Sequence, residues 1–97
     1  MMTERMLKLM AKKHGWEFHD IQHNISMISF VKEVGGDAAR INVYMTKMTV
    51  STAINHPKKG KTQLFRKRVG RNLMEQIFEN PRVHTDKGYQ RRGAGNG

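Results

Sequence analysis

The sequence predicts a two-layer α+β sandwich: an antiparallel four-stranded meander flanked by an N-terminal and a C-terminal helix packed on one face. Three observations lead there. Apolar residues recur at helical spacing near both ends of the chain, first at Met6, Leu9 and Met10 with Leu7 and Ala11, and again at Leu73, Met74, Ile77 and Phe78. Between them the spacing switches to the alternation of half-buried strands. A length of 97 residues admits one domain and one core.

Each element has a local reason. Thr3 can cap a first helix over 3–14, and Gly15 stands where a helix takes its left-handed terminating residue. Trp16 and Phe18 alternate with Glu17 and His19, a short extended segment, and 21–24 reads as a connection. Residues 25–34 are rich in strand formers, with Ile28, Phe30 and Val34 on one side. Gly35-Gly36-Asp37 is a turn. Ile41, Val43 and Met45 then alternate with Arg40, Asn42 and Tyr44, and Met48 and Val50 resume the pattern. A two-residue turn at Thr46-Lys47 would pair Met45 with Met48 and Val43 with Val50. Residues 55–61 read as a polar loop, and 62–68 as a last strand around Leu64 and Phe65. Asn72 with Glu75 three residues on resembles a capping pair, and Asn80-Pro81 ends the second helix. Residues 1–86 form the expected compact domain and 87–97 a disordered, Gly-rich basic tail.

Composition narrows the function. The chain has no Cys, which removes disulfides, zinc fingers and thiol nucleophiles and fits an intracellular setting, cytoplasm or nucleus. No apolar run approaches the roughly 20 residues of a membrane helix, and the first residues lack the apolar segment of a secretion signal. Lys and Arg number 18 against 8 Asp and Glu, a formal charge of +10. Five bases and five acids balance over 1–37, whereas 38–74 holds nine bases and no acid. Such segregation is the footprint of a surface that meets a polyanion.

The strongest candidate is the stretch 56–71, with Lys58, Lys59, Lys61, Arg66, Lys67, Arg68 and Arg71, and His56 beside them. Lysines there suit phosphate contacts that ignore base sequence, and arginines can also fork a phosphate or stack on a base. If Ile41, Val43 and Met45 point inward, Arg40, Asn42 and Tyr44 point outward beside Thr49 and Ser51, and Tyr44 can stack a base. Residues 81–92 form a basic arm that could order on a partner.

Other chemistries find less material. Gly60-Lys61-Thr62 resembles the end of a phosphate loop, but Asn55 stands where that motif needs Gly. His19 and His23 share helical spacing in a segment that does not read as helix, so neither a metal nor another cofactor is expected. His56 and His84 could act as an acid–base pair on a phosphodiester, the one route to a small RNase. The order of elements resembles the double-stranded-RNA-binding domain, helix, three strands, helix. The Lys-Lys-x-Ala-Lys start of that domain's second helix is absent where Arg66-Lys67-Arg68-Val69-Gly70-Arg71 stands. The expectation is therefore a monomeric, non-enzymatic module that binds RNA or DNA, with an acidic protein partner as the alternative.

Overall fold

The computed structural model describes residues 2–56 and 60–81. It is an α+β domain of two helices and five strands: α1 (Glu4–Lys13), β1 (Glu17–Gln22), a single 3-10 turn (His23–Ile25), β2 (Met27–Val34), β3 (Asp37–Tyr44), β4 (Thr49–His56), β5 (Gly60–Arg66) and α2 (Arg71–Glu79). The strands form one antiparallel meander in the order β1-β2-β3-β4-β5. The sheet thus has one strand more than the four expected, because the segment after Gly15 is a full edge strand. The expected tail 87–97, and the arm beyond Pro81, lie outside the described residues.

The first helix is closed at both ends by its own sequence. Thr3 Oγ1 accepts from the Met6 amide at 3.2 Å. At the other end Gly15 takes φ +84° and donates to Lys12 O, while Trp16 N donates to Ala11 O. This double closure satisfies carbonyls the helix leaves free. Lys32 Nζ donates to His14 O at 2.8 Å and adds a cation at the negative end of the helix.

Three registers differ from the sequence expectation, each for a local reason. In β1 the pairing shifts between Phe18 and Asp20, so that Phe18 opposes Phe30 and Ile21 opposes Ile28. The extra residue, His19, is a bulge that returns Ile21 to the core face, and the strand continues where a connection was expected. Across β3 and β4, Val43 does pair with Val50, but the ladder ends at Tyr44 and Thr49. A two-residue turn would need a left-handed Thr46, which a β-branched residue resists. The turn instead spans Met45 to Met48, with Met48 at φ +50° and Met45 N donating to Ser26 O. Finally, β4 and β5 run on through Asn55, His56, Gly60 and Lys61, where a loop over 55–61 was expected. The last strand correspondingly ends at Arg66, and Lys67 and Arg68 leave the ladder. The turn between β2 and β3 matches its signal: Gly35 and Gly36 both have positive φ, as a two-residue hairpin turn requires.

One face of the sheet carries the core. Ile28, Phe30, Ala39, Ile41, Val43, Val50, Ile54 and Leu64 are buried there with Leu7 and Ala11 of α1 and Met74, Ile77 and Phe78 of α2. Both helices therefore cover the same face. Three aromatics tie the layers: Phe30 meets Phe78 edge-on at 5.4 Å between centroids, Trp16 lies 6.1 Å from Phe78, and the Trp16 indole N–H donates to Phe78 O at 2.8 Å. The second helix is not capped as expected. Gly70 is its N-cap and no side chain bonds there; Asn72 sits inside the first turn.

Thr52 is the exception within this core. It is fully buried between Ile41 and Leu64, and its hydroxyl has no hydrogen-bond partner among the described residues. Thr52→Val keeps the branched shape and removes the stranded hydroxyl, so it should stabilise the domain by about 1 kcal/mol. Urea midpoints of the two proteins test this. A less stable valine variant would mean the hydroxyl has a partner.

Candidate nucleic-acid interface

The face of the sheet that the helices leave open is built from the alternate residues of the same strands. Directly opposed residues in antiparallel strands project to the same side. One row therefore runs Phe65, Ser51, Asn42, Ser29, Asp20 across all five strands. Its middle is a hydrogen-bonded chain: Ser29 Oγ donates to Asn42 Oδ1 at 2.7 Å, and Asn42 Nδ2 donates to Ser51 Oγ at 3.2 Å. Ser29 and Ser51 are buried within it. The neighbouring rows are Thr49, Tyr44, Met27, Gln22 on one side and Gln63, Ala53, Arg40, Val31, Glu17 on the other. Arg40 is exposed and Tyr44 half-buried. Phe65 stands out of this low polar floor and is 49% exposed.

At one end of this face two segments meet. The Val69 amide donates to Met48 O at 2.9 Å, and both side chains are buried. That anchor fixes the β3–β4 turn against the chain leaving β5, where Arg68 adopts φ +54°. Lys47, Lys67 and Arg68 are left exposed around it. Two open grooves adjoin there. One of about 330 Å³ is lined by Ile25, Tyr44, Thr46, Lys47 and Thr49, and one of about 630 Å³ by Lys47, Thr49, Lys67 and Arg68.

None of these three cations has a carboxylate partner among the described residues. The ion pairs described are on the helical side: Lys8 with Glu4, and Lys13 and His14 with Glu75. The acids of the sheet lie toward its opposite edge, Glu17 and Asp20 on β1, Glu33 on β2 and Asp37 at the start of β3. Charge is therefore graded across the sheet, with its uncompensated positive end at β5 and the β3–β4 turn.

The basic stretch 56–71 is not one patch. His56 pairs with Gly60 at one end of the β4–β5 ladder, and Val50 with Arg66 at the other, about 20 Å away at strand rise. Lys58 and Lys59 lie outside the described residues, and His56 and Lys61 are located by their backbone alone. Arg66 opposes the buried Val50 and so projects toward the helical side, half-buried, away from Tyr44. Arg71 is the exposed first residue of α2. Tyr44, Arg40, Lys67 and Arg68 are brought to the open face or its end. His84, expected to pair with His56, is outside the described residues. No group of three or more His, Asp or Glu among the described residues could hold a metal ion.

Two members of this surface escape a reading of the sequence. Lys47 looks like an ordinary turn residue until the chain after β5 is folded beside it. Phe65 was within reach: with Leu64 inward, its neighbour must point out.

A second polar cluster joins the helices. Glu75 accepts from Lys13 Nζ at 2.6 Å and lies 3.0 Å from His14 Nε2, within a groove that Asn72, Gln76 and Glu79 also line. These hydrogen bonds, Lys13's foremost, hold the Glu75 carboxyl below its ordinary pKa. A carboxyl with a lower pKa folded than unfolded adds stability above its unfolded pKa and loses it as pH falls through the folded one. The native protein should therefore exceed Glu75→Gln in stability at neutral pH. The two should converge as pH drops below about 4. Urea midpoints across that range decide it, and parallel curves would remove the ion-paired carboxylate as the cause.

Compared with known protein families, curated proteins and solved structures, the chain matches none.

Proposed function

We propose that this domain is a nucleic-acid-binding module that grips phosphates at the Lys47, Lys67 and Arg68 end of the open sheet face. One observation carries the reading: three exposed cations converge on adjoining grooves beside Tyr44 with no described carboxylate to neutralise them. The charge of the chain, +10 with no acid over 38–74, supports it in the same direction. Binding comes from cations that displace condensed counterions, so affinity follows salt rather than base sequence. Lys58, Lys59 and Lys61 add three further basic residues to the same acid-free part of the sequence.

The test is a salt titration. Fluorescence anisotropy with a labelled single-stranded oligonucleotide should give a log–log slope of about −2 if three phosphates are engaged, at about −0.7 each. That is about a 20-fold loss of affinity between about 50 and 200 mM salt. A slope near zero, or no binding at low salt, would overturn the proposal. Binding of an acidic polypeptide alone would move the surface to a protein partner.

A further inference from the structure

We infer that the open sheet face takes a single strand, with unpaired bases laid on Phe65 and Tyr44 and phosphates held at Lys47, Lys67 and Arg68; this rests on the nucleic-acid reading above. The cations alone do not choose between a duplex and a single strand, because both present phosphates. The aromatic side chains do.

Phe65 is a large apolar side chain, half exposed, on the edge strand β5, still within the ladder and opposite Ser51. Beside it the floor is low. Ser51, Asn42 and Ser29 use their polar groups on one another, and with Ser29 and Ser51 buried the floor beside Phe65 offers few polar groups in need of water. Tyr44 lies two strands away and one row along. Strand spacing and rise put the two positions about 12 Å apart. Neighbouring bases in a duplex rise about 3.4 Å and expose no ring face between them. Two ring platforms so far apart can both be covered only by bases pulled out of a stack, which a single strand offers at little cost.

The remaining groups fit the same path. Arg40 is exposed on this face, in the row on the far side of the polar chain from Tyr44, and its planar guanidinium can stack on a base or hydrogen-bond its edge. Ile25 is 47% exposed and lines the groove with Tyr44, which gives a base a second apolar wall there. The cations sit at the end of the face rather than on its floor. Phosphates would therefore run along the β3–β4 turn and the chain after β5 while bases turn inward over the sheet. Both helices pack on the other face, so the strand has one side on which to lie.

The experiment compares a single-stranded ten-nucleotide oligomer with the duplex of the same length, at one salt concentration, as RNA and as DNA. The protein should prefer the single strand by 10-fold or more. Phe65→Ala, an exposed position that leaves the core intact, should weaken single-strand binding about 5- to 150-fold, the range of one base–aromatic stack. It should leave the salt slope and the duplex affinity unchanged. Equal affinity for duplex and single strand, with Phe65→Ala altering neither, would overturn the stacking inference and leave the phosphate reading standing. No binding of any of the four nucleic acids would overturn both. If Tyr44→Ala unfolds the domain, Tyr44→Leu keeps its bulk and removes the ring. A loss of single-strand preference in that variant supports the platform, and full retention removes Tyr44 from it.

Discussion

Phe78→Ala should cost the domain about 3–5 kcal/mol, the range for emptying an aromatic site in a core. The ring is fully buried where α2 meets β2 and the α1–β1 connection: it packs edge-on against Phe30 of β2, lies beside Trp16, and belongs to the residue whose carbonyl takes the Trp16 indole hydrogen bond. A domain of this size has about 5–15 kcal/mol in all, so the variant keeps only part of its stability. Thermal unfolding followed by circular dichroism should show a midpoint lowered by about 15–30 °C. Trp16→Phe keeps one ring but removes the donor of the Phe78 carbonyl together with part of the buried indole, so it should cost at least the hydrogen bond's share, about 1–3 kcal/mol. A Phe78→Ala loss under about 1 kcal/mol would mean that α2 is not docked by this side chain.

The second large effect is on binding. Replacing Lys47, Lys67 and Arg68 together by Ala should flatten the salt dependence by about 2 in log–log slope, as expected for about three lost phosphate contacts. All three are exposed, so folding should be unaffected. The matched control removes three charges from α1 instead, Arg5, Lys8 and Lys12, and leaves the net charge the same. If long-range charge were the whole cause, both triple variants would weaken binding alike. A local site predicts loss in the first and near-native binding in the second. Equal behaviour would disperse the site over the whole surface.

The sequence was most legible where one periodicity ruled. Both helices, the Gly35-Gly36 turn and the pairing of Val43 with Val50 follow from spacing alone. It was least legible where a single residue changes the phase. The bulge at His19 lets β1 continue past the point where alternation fails, and a lone insertion leaves no pattern in a short strand. The turn at Met45 to Met48 depended on which residue would tolerate positive φ, and the choice fell on Met48 rather than on the pair between the strands. The layout of the basic stretch was hidden for a different reason. Counting charge along the chain treats neighbours in sequence as neighbours in space, whereas a strand carries its two ends about 20 Å apart and turns alternate residues away from each other. Arg66 and Lys67 are adjacent in sequence, yet Arg66 projects to the helical side while Lys67 stands with Lys47. Glu75 misled in miniature: its spacing from Asn72 suited a cap, and Lys13 and His14 claimed its carboxylate instead.

The bond from Trp16 to Phe78 joins residues 62 apart in a chain whose strands otherwise each pair with their neighbour in sequence. The hairpins close short loops early and cheaply, while this clasp closes a loop of 62 residues, as the Lys13–Glu75 bond also does. It therefore forms only once α2 has been made. During synthesis the apolar face of the sheet emerges before α2 does, and the part that Met74, Ile77 and Phe78 cover stays open until that helix is free to swing back. The interval between those events is the stage at which an unfinished chain is most prone to aggregate.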